Sequence, residues 1–251
     1  MLGTVVVTAS AGTFPGLLAA LQAIPVAVEE HPLMSFVPPL DWSPVDAALD
    51  QLSRYDAVAF TSPRSARAFV DRVMAAGKLV PFEPPGGPGI WAGGAGTAAV
   101  LADLAAPIHT PDGRLSGSLG AAGALARAML EADVRGPVLF PCGEIRRDEL
   151  PARLRDDGIE VEEVVCYRSV LAGEVEARRA AQRGQVVVVA SPSVADLLAR
   201  ACPTGARPAL LAVGPTTAAA ARASGWPPAG VAARPTAEAL AAGVRTLLSS
   251  R

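Results

Sequence analysis

Two stretches of this sequence put hydroxyl groups at the point where a strand gives way to a helix. DAVAFTSPRSARAF (56–69) passes from an apolar run through Thr61-Ser62-Pro63 into a segment of helical period. VVVVASPSVADLL (186–198) repeats the arrangement through Ser191-Pro192-Ser193. Each is followed by a second turn of shared type, WAGGAGTAAVLADL (91–104) and LAVGPTTAAAARAS (211–224), in which glycine precedes threonine and an alanine-rich helix. The first amides of a helix have no internal partner and lie at its positive dipole end, so such turns can receive carboxylates or phosphates. Ser62, Ser65, Thr97, Ser191, Ser193 and Thr217 are the candidate N-caps or first-turn hydroxyls, and the glycines let backbone amides approach a ligand. Ordinary helix capping is the competing reading for each of them. A Gly-x-x-Thr turn is neither a phosphate-binding Walker loop nor a dinucleotide fingerprint.

A further turn, PVLFPCGEIRRDELPARL (137–154), places Arg146 and Arg147 just past a strand, where they could pair with anions or simply be solvated. Arg64 and Arg67, three apart, share a helix face with the same two readings. Tyr167 is one of only two tyrosines and lies in a long strand, where a phenol could donate a proton or a hydrogen bond. Tyr55 is expected to pack, His109 to lie in a surface loop, and Cys142, Cys166 and Cys202 to fill core or turn positions. No Ser/His/Asp order, paired carboxylates or metal-ligand spacing appears. An enzyme built this way would handle its substrate by shape and electrostatics.

The elements that position these residues alternate. Short β-branched runs (4–9, 57–61, 89–93, 137–142, 161–170, 185–191 and 209–214) are followed by segments of helical period (15–23, 64–76, 97–104, 117–131, 147–157, 193–200, 216–224 and 236–248), the pattern of buried parallel strands in α/β units. The 24 glycines and 23 prolines gather between elements, as in PFEPPGGPG (81–89). Two segments break the alternation, EEHPLMSFVPPLDWSP (29–44) and VEEVVCYRSVLAGE (161–174). If both connect domains, the chain leaves one domain near residue 35 and re-enters it near 172; a plain division near the middle is the alternative. The paired turns point to two related domains.

Composition narrows the functions. A chain of 251 residues accommodates one large or two small domains. A net charge of −2 argues against a general nucleic-acid surface but not against a small polyanion. No run approaches the roughly 18 apolar residues of a membrane helix, and the N-terminus reads as a first strand in place of a signal peptide. Three cysteines without C-x-x-C spacing suggest neither a disulfide framework nor zinc. A cytoplasmic, reduced protein without membrane or nucleic-acid partners is expected.

The motifs FTSPRSARAF, G-x-G-T-A, GEIRR-x-EL-x-x-x-LR-x-x-G, V-x-x-V-x-x-YRSV, VVVASPS, AVGPTTAAAAR and RPTAEALAAGV occur in that order over nearly the whole chain. In combination they resemble the uroporphyrinogen III synthase family. The resemblance implies two similar parallel-sheet α/β domains of Rossmann or flavodoxin type, the first discontinuous (1–35 plus 172–251), the second 40–165, joined by linker strands at 36–39 and 166–171. It implies a monomer that needs no cofactor or metal. The implied activity is cyclisation of linear hydroxymethylbilane, a tetrapyrrole bearing eight carboxylates, with loss of water and inversion of ring D. By motif match, Tyr167 corresponds to the family tyrosine that helps the hydroxyl leave. Ser62, Thr97, Ser191, Ser193, Thr216 and Thr217 correspond to the substrate-binding turns, with Ser65, Arg146 and Arg147 beside them. Two departures remove positive charge: Ala9 stands where many members have arginine after the first strand, and Cys142 where they have Arg-Gly-Glu. Arg64, Arg114, Arg146 and Arg147 are the arginines available to replace it. Two other classes fit the same turns: a two-domain protein that binds an anionic tetrapyrrole-like ligand in a regulatory role, and a nucleotide-sugar-type transferase. The second is disfavoured because no carboxylate is placed to hold a ribose or a metal.

Overall fold

The computed structural model describes residues 3–77, 82, 87–104, 106–111, 116–205 and 207–249. Arg114 and most of the proline-rich turn at 81–89 lie outside them. Along the chain the elements are β1 (Gly3–Val7), α1 (Leu17–Gln22), β2 (Val26–Glu30), β3 (Met34–Val37), α2 (Ser43–Asp50), β4 (Ala57–Phe60), α3 (Pro63–Ala75), β5 (Gly89–Ala92), α4 (Ala95–Leu101) and β6 (Ile108–His109). There follow α5 (Ser116–Glu131), β7 (Val138–Gly143), α6 (Glu149–Asp156), β8 (Val161–Leu171), α7 (Glu174–Arg183), β9 (Val186–Val189), α8 (Pro192–Ala201), β10 (Ala209–Ala212), α9 (Pro215–Ala223), β11 (Gly230–Val231) and α10 (Ala237–Ser249).

The chain forms two compact units, Met1–Ser35 with Val170–Arg251, and Phe36–Ser169. Residues 36–39 and 166–169, expected to be linker, group with the second unit. Both crossings fall within strands, since β3 and β8 are neighbours in one sheet and each runs through a unit boundary. They run in opposite directions: the amide of Ala172 donates to the Leu33 carbonyl (3.0 Å) and Arg168 Nε to the Pro38 carbonyl (3.2 Å).

In the first unit the sheet order is β11-β10-β9-β1-β2, with every pair parallel. Valines explain its stability: β9 is Val186–Val189, buried throughout, with alternate side chains entering two different cores. One core collects α7, α8 and α9, the other α1 and α10. A strand covered on both faces must be apolar at every position. The central pair β1:β9 joins residues about 180 apart in sequence, and the buried hydroxyl of Thr8 donates across it to the Val188 carbonyl at 2.8 Å.

The second unit has the order β8-β7-β4-β5-β6, with β3 added at the edge. Helices α2, α3 and α4 cover one face, α5 and α6 the other. Placed side by side, the two five-strand orders are the same: β9, β10, β11, β1, β2 occupy the positions of β4, β5, β6, β7, β8. The first unit is therefore a circular permutation of the second, entered at its fourth strand. The internal duplication legible in the Ser-Pro and Gly-x-x-Thr turns extends to the whole topology.

Several elements escaped the sequence pattern. β6 and β11 are two-residue edge strands, too short to show a period, and His109 belongs to β6, stacked on Trp91, and not to a loop. Helix α7 (EVEARRAAQR) is mostly polar, and only the narrow stripe Ala177, Ala180 and Ala181 is buried, Val175 being exposed. Helix α2 starts at Ser43-Pro44 at the end of the proline-rich segment, a first-turn position that tolerates proline.

Ser62 and Ser191 both cap their helices: Ser62 Oγ accepts from the Ser65 amide (3.1 Å) and Ser191 Oγ from the Val194 amide (3.2 Å). Replacing Ser191 by Ala is expected to lower unfolding stability by about 1 kcal/mol, and Ser191→Asp to retain most of it, in urea denaturation.

Candidate functional site

In an open parallel sheet the crevice forms at the carboxyl ends of the strands where the strand order reverses. That point is β4/β7 in the second unit and β9/β1 in the first. At β4/β7 there is a pocket of about 430 Å³ lined by Ser62 and Ser65 of α3, Gly120–Ala122 of α5, Cys142 and Gly143 of β7, Arg146, Arg147 and Tyr167. Gly120, with φ 69, breaks α5 so that its regular part starts at the pocket wall. The residues Ser62, Ser65, Arg146, Arg147 and Tyr167, dispersed over a hundred positions of sequence, thus meet at one site.

Tyr167 reaches it through a register shift. Cys142 pairs with Val165 and Gly143 with Tyr167, so Cys166 is the extra residue of a bulge in β8. Bulges bend a strand and re-aim the side chain that follows. The phenol then lies directly over Gly143: a Cβ there would come within 2.6 Å of Tyr167 Cζ and 2.8 Å of its Oη. Glycine is required by this approach. The Tyr167 ring meets Phe36 edge to face at 5.8 Å, and the Arg64 guanidinium lies 3.3 Å from the Phe36 ring centre. Phe36 and Gly143 had no signal in the sequence, because only the pairing of β3 and β7 with β8 brings them to Tyr167.

The charges around the pocket are organised by Glu163. It accepts from Arg146 and, at 2.6 Å, from Arg155, with its own side chain 14% exposed. Burial pushes its carboxyl up, but the hydrogen bonds from Arg155 and Arg146 outweigh this and its pKa falls below the usual value. Arg146 is correspondingly held in its charged form by Glu163. Arg147 is exposed and has no ion pair among the described residues. Arg67 is bound to Asp103 at 2.9 Å. The Cys142 thiol is buried and pushed up to about 11, which leaves it protonated and unreactive.

The hydroxyls divide into two kinds. Ser62 and Ser191 are occupied as caps, and Ser65, 2% exposed, donates back to the Ser62 carbonyl. Thr97 and Thr217 are buried in the first turns of α4 and α9, whereas Ser193 and Thr216 are exposed. Helices α4 and α9 are preceded by Gly94 and Gly214 with no side-chain cap, so their N-cap residues offer no hydroxyl to their first amides. Thr97 lies outside the pocket lining; Ser191, Ser193, Thr216 and Thr217 stand at the corresponding edge of the first unit. There the equivalent of the β7 turn is Thr8-Ala9-Ser10, of which Ala9 and Ser10 line a hollow of about 360 Å³ with Gly12, Thr13, Phe14 and Glu30 and, among the described residues, no arginine or lysine.

The fold and site define a class: a two-unit, doubly wound α/β protein with uncapped helix starts, arginines and one phenol at strand carboxyl ends. A family model for uroporphyrinogen-III synthase HemD matches residues 15–242. The chain belongs to the uroporphyrinogen-III synthase family. Among solved structures, a mutant uroporphyrinogen III synthase from the extremely thermophilic bacterium Thermus thermophilus is similar at 17% identity, covering 99% of this chain and all of that one, with TM-score 0.63. A uroporphyrinogen-III synthetase from Helicobacter pylori is similar at 18% identity over the full length of both, with TM-score 0.61. At these identities the structures establish the shared fold; the family match assigns the chain.

Two measurements check the geometry. Gly143→Ala is expected to displace the Tyr167 ring and lower stability by about 1–3 kcal/mol, seen as a lower urea midpoint and altered tyrosine contacts. Because the Glu163 pKa is lowered on folding, its contribution is present at neutral pH and is lost as pH falls through the depressed value. On acidification below the ordinary glutamate value the wild type should therefore lose stability more steeply than Glu163→Gln.

Proposed function

We propose that this chain is an active uroporphyrinogen III synthase, converting linear hydroxymethylbilane to uroporphyrinogen III with loss of one water. The observation that carries the reading is the Tyr167 phenol, fixed over Gly143 at the strand-order reversal of the second unit, beside Arg146 and Arg147. It is supported by the family match over residues 15–242.

In this reading substrate carboxylates are received in the second unit's pocket by Arg147, with Arg146 held ready by Glu163. Ser62, Ser65 and Ser191 act by fixing the helix starts. The Tyr167 O–H donates its proton to the hydroxymethyl oxygen as the C–O bond breaks, so the leaving group departs as water and a resonance-stabilised pyrrole cation remains. The substituted carbon of ring D attacks that cation to give a spiro intermediate, which reopens and closes in the inverted sense. The proton lost when ring aromaticity is restored returns to the phenolate, so the cycle consumes only substrate and releases only product and water. The reaction needs charge placement and a held conformation, and neither requires a strong acid or base.

Incubation with enzymatically prepared hydroxymethylbilane, followed by separation of isomers, is expected to give type III product. Type I alone, the isomer of spontaneous closure, would sink the assignment. Tyr167→Phe should slow type III formation by about 10²-fold, the lower range for loss of a general acid, with unchanged unfolding stability.

A further inference from the structure

Arg64 was separable from its neighbours only in the folded chain. It follows the Ser62 cap and Pro63 in the first turn of α3, where the cap fixes its backbone. Three arginines of α3 line the hollow on that helix's outer side. Arg67 pairs with Asp103 and Arg72 with Asp46. Arg64 has no carboxylate partner among the described residues; its guanidinium rests on the Phe36 ring at 3.3 Å and stands 5.9 Å from the Tyr167 ring centre. Phe36 and Tyr167 touch each other, closing a triangle of one cation and two rings. Arg64 as a whole is exposed, but the packing of its guanidinium against the rings lowers its pKa, with Tyr167 the group acting in the opposite sense. On its other side Tyr167 is against Gly143, which leaves no room for a Cβ. The ring is thus confined between backbone and a braced cation.

Most of the remaining groups around the phenol are already engaged, the exposed Arg147 excepted. Ser62 and Ser65 hydrogen-bond each other's main chain, Arg146 serves Glu163, and the Cys142 thiol is directed to the Val164 carbonyl. Among the described residues, Arg64 is the cation at this point that rests on the two rings.

We propose that Arg64 is a positioning residue for Tyr167: braced on Phe36 and lying beside the Tyr167 ring, its guanidinium directs the hydroxyl proton into the pocket at β4/β7. The inference rests on the reading of Tyr167 as proton donor. An arginine suits the task because a planar guanidinium can stack on a ring and donate in its own plane at once, which an ammonium cannot.

The test is a double-mutant cycle on the full chain, with kcat and KM for type III formation and the urea midpoint measured for wild type, Arg64→Gln, Tyr167→Phe and the double variant. Arg64→Gln should lower kcat about 10- to 100-fold, as misplacement of a reacting group does, with KM within about twofold and the midpoint unchanged. Arg64→Lys should recover only part of the loss. The double variant should be no slower than Tyr167→Phe alone, because a residue acting through the phenol has nothing left to position. If Arg64→Gln does not fold, Phe36→Leu removes the brace and should lower kcat in the same way. A raised KM at unchanged kcat would make Arg64 a substrate contact and overturn the proposal, as would losses that multiply in the double variant or full activity of Arg64→Gln. Wild-type turnover by Tyr167→Phe would instead remove the proton-donor reading, and absence of type III product from the wild type would remove the activity itself.

Discussion

Parallel strands cannot be joined by a tight turn; each must be followed by a crossover, here mostly a helix, before the next strand begins. Everything else in this protein depends on that constraint. Crossovers place the carboxyl ends of the parallel strands and the helix starts that follow them at one edge of each sheet, so unpaired amides accumulate there. Where the strand order reverses, neighbouring crossovers depart to opposite faces and a crevice opens. The β4/β7 pocket is that crevice, and α3 and α5 begin at its rim.

The two units apply the same arrangement to one strand order, entered at different points of the chain. Sharing a topology has not kept their chemistry alike. The second unit brings Arg146, Arg147 and Tyr167 to its reversal point, whereas the first presents Ala9, Ser10 and Thr13 there, with no cation among the described residues. The first unit's resources are neutral: the glycine-started α9 and the exposed hydroxyls of Ser193 and Thr216. The two reversal points therefore offer an anion different partners. Backbone amides bind each carboxylate with little reorganisation. A few arginines set orientation through stronger, charge-assisted contacts.

Rigidity at the candidate site comes from layers of ordinary interactions. The bulge at Cys166 aims Tyr167, the missing side chain of Gly143 admits its ring, and Phe36 with Arg64 closes the other side. Glu163, held between Arg146 and Arg155, fixes one arginine near the pocket while lowering its own pKa. The serines first read as ligand contacts, Ser62, Ser65 and Ser191, have hydroxyls engaged with their own helices, which keeps the helix starts in place.

The sequence by itself determined the fold class, most of the long elements and the duplication, because these are written in local periods: all-valine β9, the helical spacing of α3 and α8, glycine and proline between them. It also singled out Tyr167 and the Ser-Pro and Gly-x-x-Thr turns, whose residue types carry a mechanism within a few positions. Edge strands of two residues and the polar α7 left no such local trace. The tertiary structure alone decided which distant residues meet. That Gly143 underlies Tyr167, that Phe36 braces Arg64, and that Ala9 lines a hollow with no cation among the described residues all follow from strand pairing and register between segments tens to hundreds of positions apart. Register is set by how buried faces fit together in the folded chain, and no stretch of sequence read alone contains that fit.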